Sequence, residues 1–487
     1  MVQSQPLLTQ TNLVATTKTD HCVLSDSPKL TLSGYWLEAR VLLKLALPIL
    51  VAQLAITGLG VIDTVMSGHV GTDDLAAIGL GSSLMFPVLM VPMGILLALT
   101  PLVSRRFGQK DSEAIARYLQ QGLWLSVPLG LLALVVLMFP QWVLDQLSLS
   151  SNVYQLTEDY LAFVGLGIPG LALYLALRFF WEGLSLTWPT MVISVLALLV
   201  NIPLNALFIY GWGPVPAFGA AGCGIASAMV MWAMLGAGFW FVRRHPQTRS
   251  LTVWPKGTWF RMRWRQGLAD IMSLGVPNML ALLFEVTLFS LIAVFIAKLG
   301  TEVIAANQVV MSYTSMAFMI PLSLSLAVTV RVGTAYGQGS LTAMRLSMRT
   351  GLAVAVAFSS VVAVITFSVR DLIAGFYTSD PAVIAIAVWL LLLAAAYQVF
   401  DAVQVTSAGI LRGLHHTRTT MVVTFISYWV LGMGGGYIMA FTDWWMPPQG
   451  VGGFWLGIVF GLILAAFLLQ WKLWQLKAGL VKNGSLR

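Results

Sequence analysis

The sequence predicts an all-α polytopic membrane protein, with twelve transmembrane helices in two six-helix lobes related by an axis along the membrane normal. Three observations carry this reading: charge is scarce, twelve apolar segments are long enough to span, and the two halves repeat one another. Of 487 residues only 9% are charged and 58% are hydrophobic, and the mean hydropathy is +0.85. A soluble fold devotes roughly a quarter of its residues to charge. The run from Gly183 to Val242 contains no Lys, Arg, Asp or Glu. Such a run cannot face water, but it suits two spans joined by a tight turn.

Spanning segments fall near 42–66, 79–104, 118–139, 157–180, 189–211 and 220–242, and again near 271–297, 304–330, 350–369, 382–410, 419–442 and 451–472. Helices are required, because an open sheet edge is not viable in lipid and the alternating polarity of a membrane barrel is absent. The basic, Trp-rich stretch Arg243 to Gly267, broken by Pro246 and Pro255, separates the two groups of six. The expected organisation is a polar tail (1–34), a first lobe (35–245), a linker (246–268), a second lobe (269–475) and a short tail (476–487). The leading tail lacks an apolar h-region, so it reads as a cytosolic extension without a cleaved signal peptide. Cys22 and Cys223 offer neither a metal-ligand spacing nor a plausible disulfide.

Charge distribution sets the orientation. With both termini inside, 25 of the 27 basic residues become cytoplasmic, leaving Lys298 and Arg370 outside; the Lys/Arg bias decides topology. The net charge of +8 is therefore a topology signal. Nucleic-acid binding would need basic residues clustered with stacking aromatics on a solvated face. The pair His415-His416 falls in a basic loop and reads as solvated. The sequence contains no phosphate-binding P-loop, which excludes direct ATP coupling.

A shift of 229 positions aligns Pro48 with Pro277, Gly71 with Gly300, Pro92 with Pro321, and Gly108-Gln109 with Gly337-Gln338. Shifts of 230 and 231 then pair Gly183-Leu184 with Gly413-Leu414, Thr190-Met191-Val192 with Thr420-Met421-Val422, and Gly219 and Gly222 with Gly450 and Gly453. An even number of helices per repeat gives both copies one orientation, hence the axis along the membrane normal. Interfaces between such repeats are where transporters place their binding sites.

Three acids read as lying well inside spans: Asp63, Glu285 and Asp401. A carboxylate there must face a cavity, pair with a cation or be protonated. No Lys or Arg is expected deep in a span, which leaves a proton or a metal cation. All three break the repeat, since Asp63 maps to Ile292, Glu285 to Ile56 and Asp401 to Leu171. Asn201 and Asn205 map onto the glycine-rich stretch 431–436. Their i,i+4 spacing puts both amides on one helix face, where their oxygens can join Asp63 in an oxygen-lined site or serve as interhelical glue. Asp63, nearest a membrane face, is expected to be the wettest acid. Tyr397 and Asp401 also share a face. The glycines of 432–436 permit bending or close packing, with packing favoured.

The stretches LALPILVAQLAITGLGVIDTVMSGHVG, NIPLNALFIYG, LLFEVTLFSLIAVFIAKLGTEVIAANQV, YQVFDAVQVTSAGILRG and TFISYWVLGMGGGYIM resemble the multidrug and toxic compound extrusion (MATE) family, in its NorM-like bacterial branch. The resemblance runs from the first span to the eleventh. It implies two lobes forming a V, with drugs or toxic organic cations bound between them and exported by alternating access. It also implies that Asp63 and Asn205, with Asn201 nearby, form a first-lobe cation or proton site. Glu285, Asp401 and Tyr397 would form a second-lobe site for a cation, with Na⁺ the expected ion. Asn205, where a proton-linked branch tends to carry an acid, leans the expectation towards Na⁺ over H⁺. No cofactor beyond that coupling ion is implied, and the expected setting is the bacterial inner membrane, with a single chain sufficient. The alternatives are a lipid-linked precursor flippase of related architecture, disfavoured by the lack of Arg inside spans, and an integral-membrane lipid-modifying enzyme, for which no polar cluster at one interface is visible.

Overall fold

The computed structural model describes residues 32–147, 149–251, 264, 267–444 and 447–482. Most of the leading tail, the middle of the linker and the last residues lie outside the described residues. Eleven single helices are long and apolar enough to span, and a bent pair supplies a twelfth span. In order they are α1 (Leu32–Gly68), α2 (Thr72–Gly108), α3 (Ser112–Met138), α4 (Ser151–Gly165 with Ile168–Gly183), α5 (Trp188–Tyr210) and α6 (Ala220–Arg244). The second half has α7 (Leu268–Ile296), α8 (Thr301–Gly337), α9 (Leu341–Tyr377), α10 (Pro381–Gly413), α11 (Thr417–Phe441) and α12 (Val451–Lys482). The bend in α4 is 43°. Pro169 opens its second arm without an amide to donate, and Trp232 Nε1 donates to the Leu166 carbonyl at the break, at 3.0 Å.

The repeat is a repeat of contacts. Thr100 Oγ1 donates to the Phe179 carbonyl (3.3 Å), and its counterpart Thr329 donates to the Gly409 carbonyl (2.9 Å). A side chain on Gly183 would meet Thr100 O and Val103, and one on Gly413 would meet Thr329 O and Val332. Left-handed turn residues also match: Lys110 (φ 58°) with Gly339 (φ 70°), Ser185 with His415 (both φ 64°), and Gly219 with Gly450 (both φ 55°).

One helix departs from the pattern. Residues Phe425–Gly435 of α11 are wound as π-helix, in the glycine-rich stretch. Close packing on α12 falls at the ends of the stretch: a Cβ on Gly457 of α12 would stand 2.4 Å from Gly432 O, and one on Gly436 3.2 Å from the Phe454 Cα, whereas Gly434 and Gly435 meet only their own helix.

The lobes converge at the end of the bundle that carries the termini. There a Cβ on Gly337 of α8 would lie 1.9 Å from the Arg105 carbonyl of α2, and one on Gly275 of α7 2.4 Å from Ile95 O. Tyr118 Oη donates to Asp270 Oδ2 across the halves at 2.9 Å. Arg331 of α8 grips Glu38 of α1 with two bonds of 2.9 and 2.6 Å, and Ser347 Oγ donates to the same carboxylate at 2.6 Å.

Three expectations require correction here. Glu38 (3% exposed) and Glu182 (1%) are buried acids besides the three anticipated. Arg178, expected at the end of a span, is only 2% exposed because α4 continues past it to Gly183. His415 is not freely solvated: its Nε2 lies 3.2 Å from the Pro101 carbonyl of the other lobe, and its ring meets Tyr336 edge-on at 6.2 Å.

This closure can be probed at two residues. Glu38→Gln strips one partner from a buried ion pair, a change that costs about 3–5 kcal/mol, and is expected to lower the unfolding temperature in detergent by several degrees. Burial pushes the His415 pKa down from its ordinary 6.5 to about 4. The folded state therefore holds the neutral ring, so its contribution is complete above the ordinary value and fades as pH falls towards 4. Taking the pH from 7.5 to 5 should thus lower Tm more in the wild type than in His415→Gln.

Candidate functional site

Asp63 is buried on the inner side of α1, 8% exposed, beside Asn201 and Asn205 of α5, both fully buried. Asn205 Nδ2 donates to Asp63 Oδ1 at 2.6 Å and to Asn201 Oδ1 at 3.0 Å. Ser227 Oγ of α6 donates to Asp63 Oδ2 at 3.0 Å. The acid expected to be wettest is thus enclosed by three helices, with each oxygen served by one neutral donor. The i,i+4 spacing places the two Asn side chains together as expected, but the Asn205 nitrogen rather than its oxygen meets the carboxylate. Asn205 Oδ1 and Asn201 Nδ2 have no hydrogen-bond partner, so the cluster holds spare polar capacity beside an acid with no basic side chain among its hydrogen-bond donors.

A separate cavity of about 340 Å³ lies between the lobes. Gln53, Met90 and Arg178 face it from the first half, and Glu285, Tyr397, Asp401 and Tyr428 from the second. Along α10 the cavity residues Tyr397, Asp401, Val405, Ala408 and Arg412 recur every three or four positions, so one helix face forms a wall. Glu285 lines the same cavity from α7. Tyr397 is stacked on Trp455 at 6.1 Å, and Trp455 Nε1 is anchored on Asn307 Oδ1 at 3.0 Å. Behind the wall, Tyr313 and Thr366 hydroxyls lie 2.6 Å apart and Gln398 joins Thr366 at 3.3 Å, tying α8, α9 and α10 together.

Glu285, Asp401 and Tyr397 therefore share the cavity, Tyr397 and Asp401 on one helix face, whereas the Asp63 cluster is absent from its walls. Among the described residues no group of three or more His, Cys, Asp and Glu forms a metal-binding set. Two carboxylates with phenol and amide oxygens form an oxygen-only donor set, the chemistry that hard cations and protons take.

Three features escape the sequence reading. Ser227 leaves no signal, being 164 residues from Asp63 in the chain. Arg178 and Glu182 form a buried i,i+4 ion pair of 2.8 Å, with Gln53 Oε1 3.0 Å from the guanidinium; their spacing on an apolar helix is the available clue. Arg412, about three turns from Asp401 on the same face, also reaches the cavity.

A duplicated twelve-span bundle with a cavity between its halves and carboxylates inside the membrane defines a membrane transporter, not an enzyme. The chain belongs to the MatE family, whose model matches residues 48–207 and 277–438. It is 41% identical over 436 residues to multidrug resistance protein MdtK of Yersinia pseudotuberculosis serotype O:1b, covering 89% of this chain and 95% of that one. It is 39% identical over 436 residues to MdtK of Photorhabdus laumondii, with the same coverage. The eukaryotic MATE transporter AtDTX14 shares the fold, with a TM-score of 0.81 at 20% identity over 90% of this chain and 96% of that chain. So does the bent form of the Vibrio cholerae MATE transporter VcmN, with a TM-score of 0.79 at 18% identity over 91% and 97%.

The Asp63 cluster yields a graded expectation. Asn205→Ala removes the donor to one Asp63 oxygen and frees Asn201, so dye efflux from pump-deficient cells should fall several-fold at unchanged expression. Ser227→Ala should have a smaller effect. Wild-type efflux in both would reduce the cluster to packing.

Proposed function

We propose that this chain is a multidrug efflux antiporter that exports cationic amphiphilic compounds in exchange for Na⁺ or H⁺ by alternating access. The observation that carries the reading is the cavity between the duplicated halves, with Glu285, Asp401 and Tyr397 in its wall. Relatives named for multidrug resistance, at 41% identity over most of the chain, support efflux over lipid-precursor flipping. The expected absence of Arg from the spans no longer counts against a flippase, since Arg178 and Arg412 both face the cavity. The preference rests on the relatives and on the paired acids.

The Lys/Arg distribution supports both termini on the cytoplasmic side, and the bacterial relatives support the inner membrane. On that orientation the close contacts between the lobes lie on the cytoplasmic side, which supports an outward-facing arrangement. One chain contains both lobes and the whole cavity, which favours action as a monomer. Binding of a coupling cation at Glu285 and Asp401 removes their repulsion, and drug binding in the same cavity needs the cation gone. Each ligand biases the lobe equilibrium only by its differential affinity for the two arrangements. Inward cation movement down the membrane potential supplies roughly 2.3 kcal/mol per charge per 100 mV. The Asp63 cluster, buried apart from the cavity, is a second position at which a cation or proton can act.

Glu285→Gln and Asp401→Asn are each expected to abolish efflux of an ethidium-type cation while leaving membrane expression and Tm near wild type. Wild-type transport rates in both would sink the assignment. Liposomes given a Na⁺ gradient or a pH gradient separately will identify the coupling ion: transport should follow one gradient and collapse without it.

A further inference from the structure

The ionisable side chains on the cavity are Glu285, Asp401, Tyr397, Tyr428, Arg178 and Arg412. Of the two guanidiniums, Arg178 is already neutralised by Glu182 at 2.8 Å and bonded to Gln53 at 3.0 Å. Arg412 is not. Its Nε and Nη1 are buried without a hydrogen-bond partner, and the four ion pairs among the described residues lie elsewhere. It nevertheless lines the same cavity as Glu285, whose negative charge favours the charged guanidinium.

The duplication explains the lack of a partner. At the shift of 230 that pairs Gly183 with Gly413, Arg412 occupies the place of Glu182, and Ala408 the place of Arg178. The first lobe satisfies its buried charge within one helix. The second lobe has reversed the sign of that charge and lost the intrahelical partner. A guanidinium stays charged at any ordinary pH, so its compensation must come from another element. Glu285, which lines the same cavity, is the acid whose charge acts on it, and it is one of the two acids assigned above to the coupling cation.

We propose that Arg412 is an internal counter-ion that competes with the coupling cation for Glu285. With no cation bound, the guanidinium field neutralises Glu285 and keeps the carboxylate pair from holding a cation too tightly to release. When a cation binds, it takes over that role and Arg412 loses its compensation, so the site returns to its empty form readily. Arg412 thus tunes cation affinity without being a ligand to the cation. The proposal rests on the reading of Glu285 and Asp401 as the cation site.

The test is cation binding to the purified full-length protein rather than transport. Na⁺ affinity is measured by calorimetry at fixed pH, and proton affinity by infrared titration of the carboxyl band. The proteins compared are wild type, Arg412→Gln, Arg412→Lys, Glu285→Gln and the Glu285→Gln/Arg412→Gln double variant. Removing a fixed positive charge close to an anion in a poorly screened site should tighten binding of the coupling cation on the order of tenfold or more. Arg412→Lys, which retains the charge, should stay within a few-fold of wild type, and the double variant should match Glu285→Gln alone. Unchanged or weaker affinity in Arg412→Gln for both cations overturns the proposal, including the case where only binding of carboxylate-bearing compounds suffers. If Glu285→Gln instead binds both cations like the wild type, the cation-site reading fails first and the competitor falls with it.

Discussion

An ionised or strongly polar side chain inside a bilayer has no water to turn to, and leaving it unsatisfied costs several kcal/mol. The organisation of this protein follows from where those partners are found. Glu38 finds Arg331 and Ser347 across the lobe boundary, so one satisfied charge also holds α1 against the second half. Arg178 finds Glu182 and Gln53 within the first half. Asp63 finds only neutral donors, and Glu285 and Asp401 line one cavity with no bonded partner of opposite charge. Fully paired groups are architecture; underpaired ones are where a mobile ion has something to contribute.

Duplication supplies the frame against which those differences stand out. The paired threonine bonds at Thr100 and Thr329 and the matched left-handed turns show that the two lobes solve the same packing problems in the same way. The buried polar groups left without a fixed opposite charge fall where the copies disagree. Asp63, Glu285, Asp401, the Asn201–Asn205 pair and the inversion from Glu182 to Arg412 are all departures from the repeat. Two identical lobes would have no reason to place one buried acid on α1 beside α5 and a pair of acids on α7 and α10.

Span count, the pairing of halves and the acids at 63, 285 and 401 are legible in the sequence. They follow from hydropathy and from proline and glycine spacing, which record packing rules that act locally. The Asn pair and the Tyr397–Asp401 pair are legible because helical periodicity fixes which side chains share a face. What escapes depends on distances between helices. Ser227 reaches Asp63 from a helix far along the chain, and nothing in its neighbours marks it. Glu38 reads as a residue near the tail, whereas α1 already begins at Leu32 and carries it into the lobe boundary. His415 reads as solvated because it lies in a loop, yet the opposite lobe buries it through a contact that no local pattern encodes.

The π-wound stretch of α11 bears on how the two copies drifted apart. The hairpins that follow α5 and α11 are identical in register, since Gly219 N bonds to Ile209 O and Gly450 N to Ala440 O, each at 3.2 Å. The alignment nevertheless slips by one residue between Thr420 and Gly450, so the extra residue lies within the helix itself. Inserted into an ordinary α-helix, it would turn everything beyond it by about 100°, swinging the outer half of α11 off its partners. A wider π turn absorbs such an insertion locally. The wound region, Phe425–Gly435, overlaps the positions where the first lobe keeps Asn201 and Asn205. A single inserted residue can thus be accommodated while leaving the helix phase, and with it the fold, undisturbed.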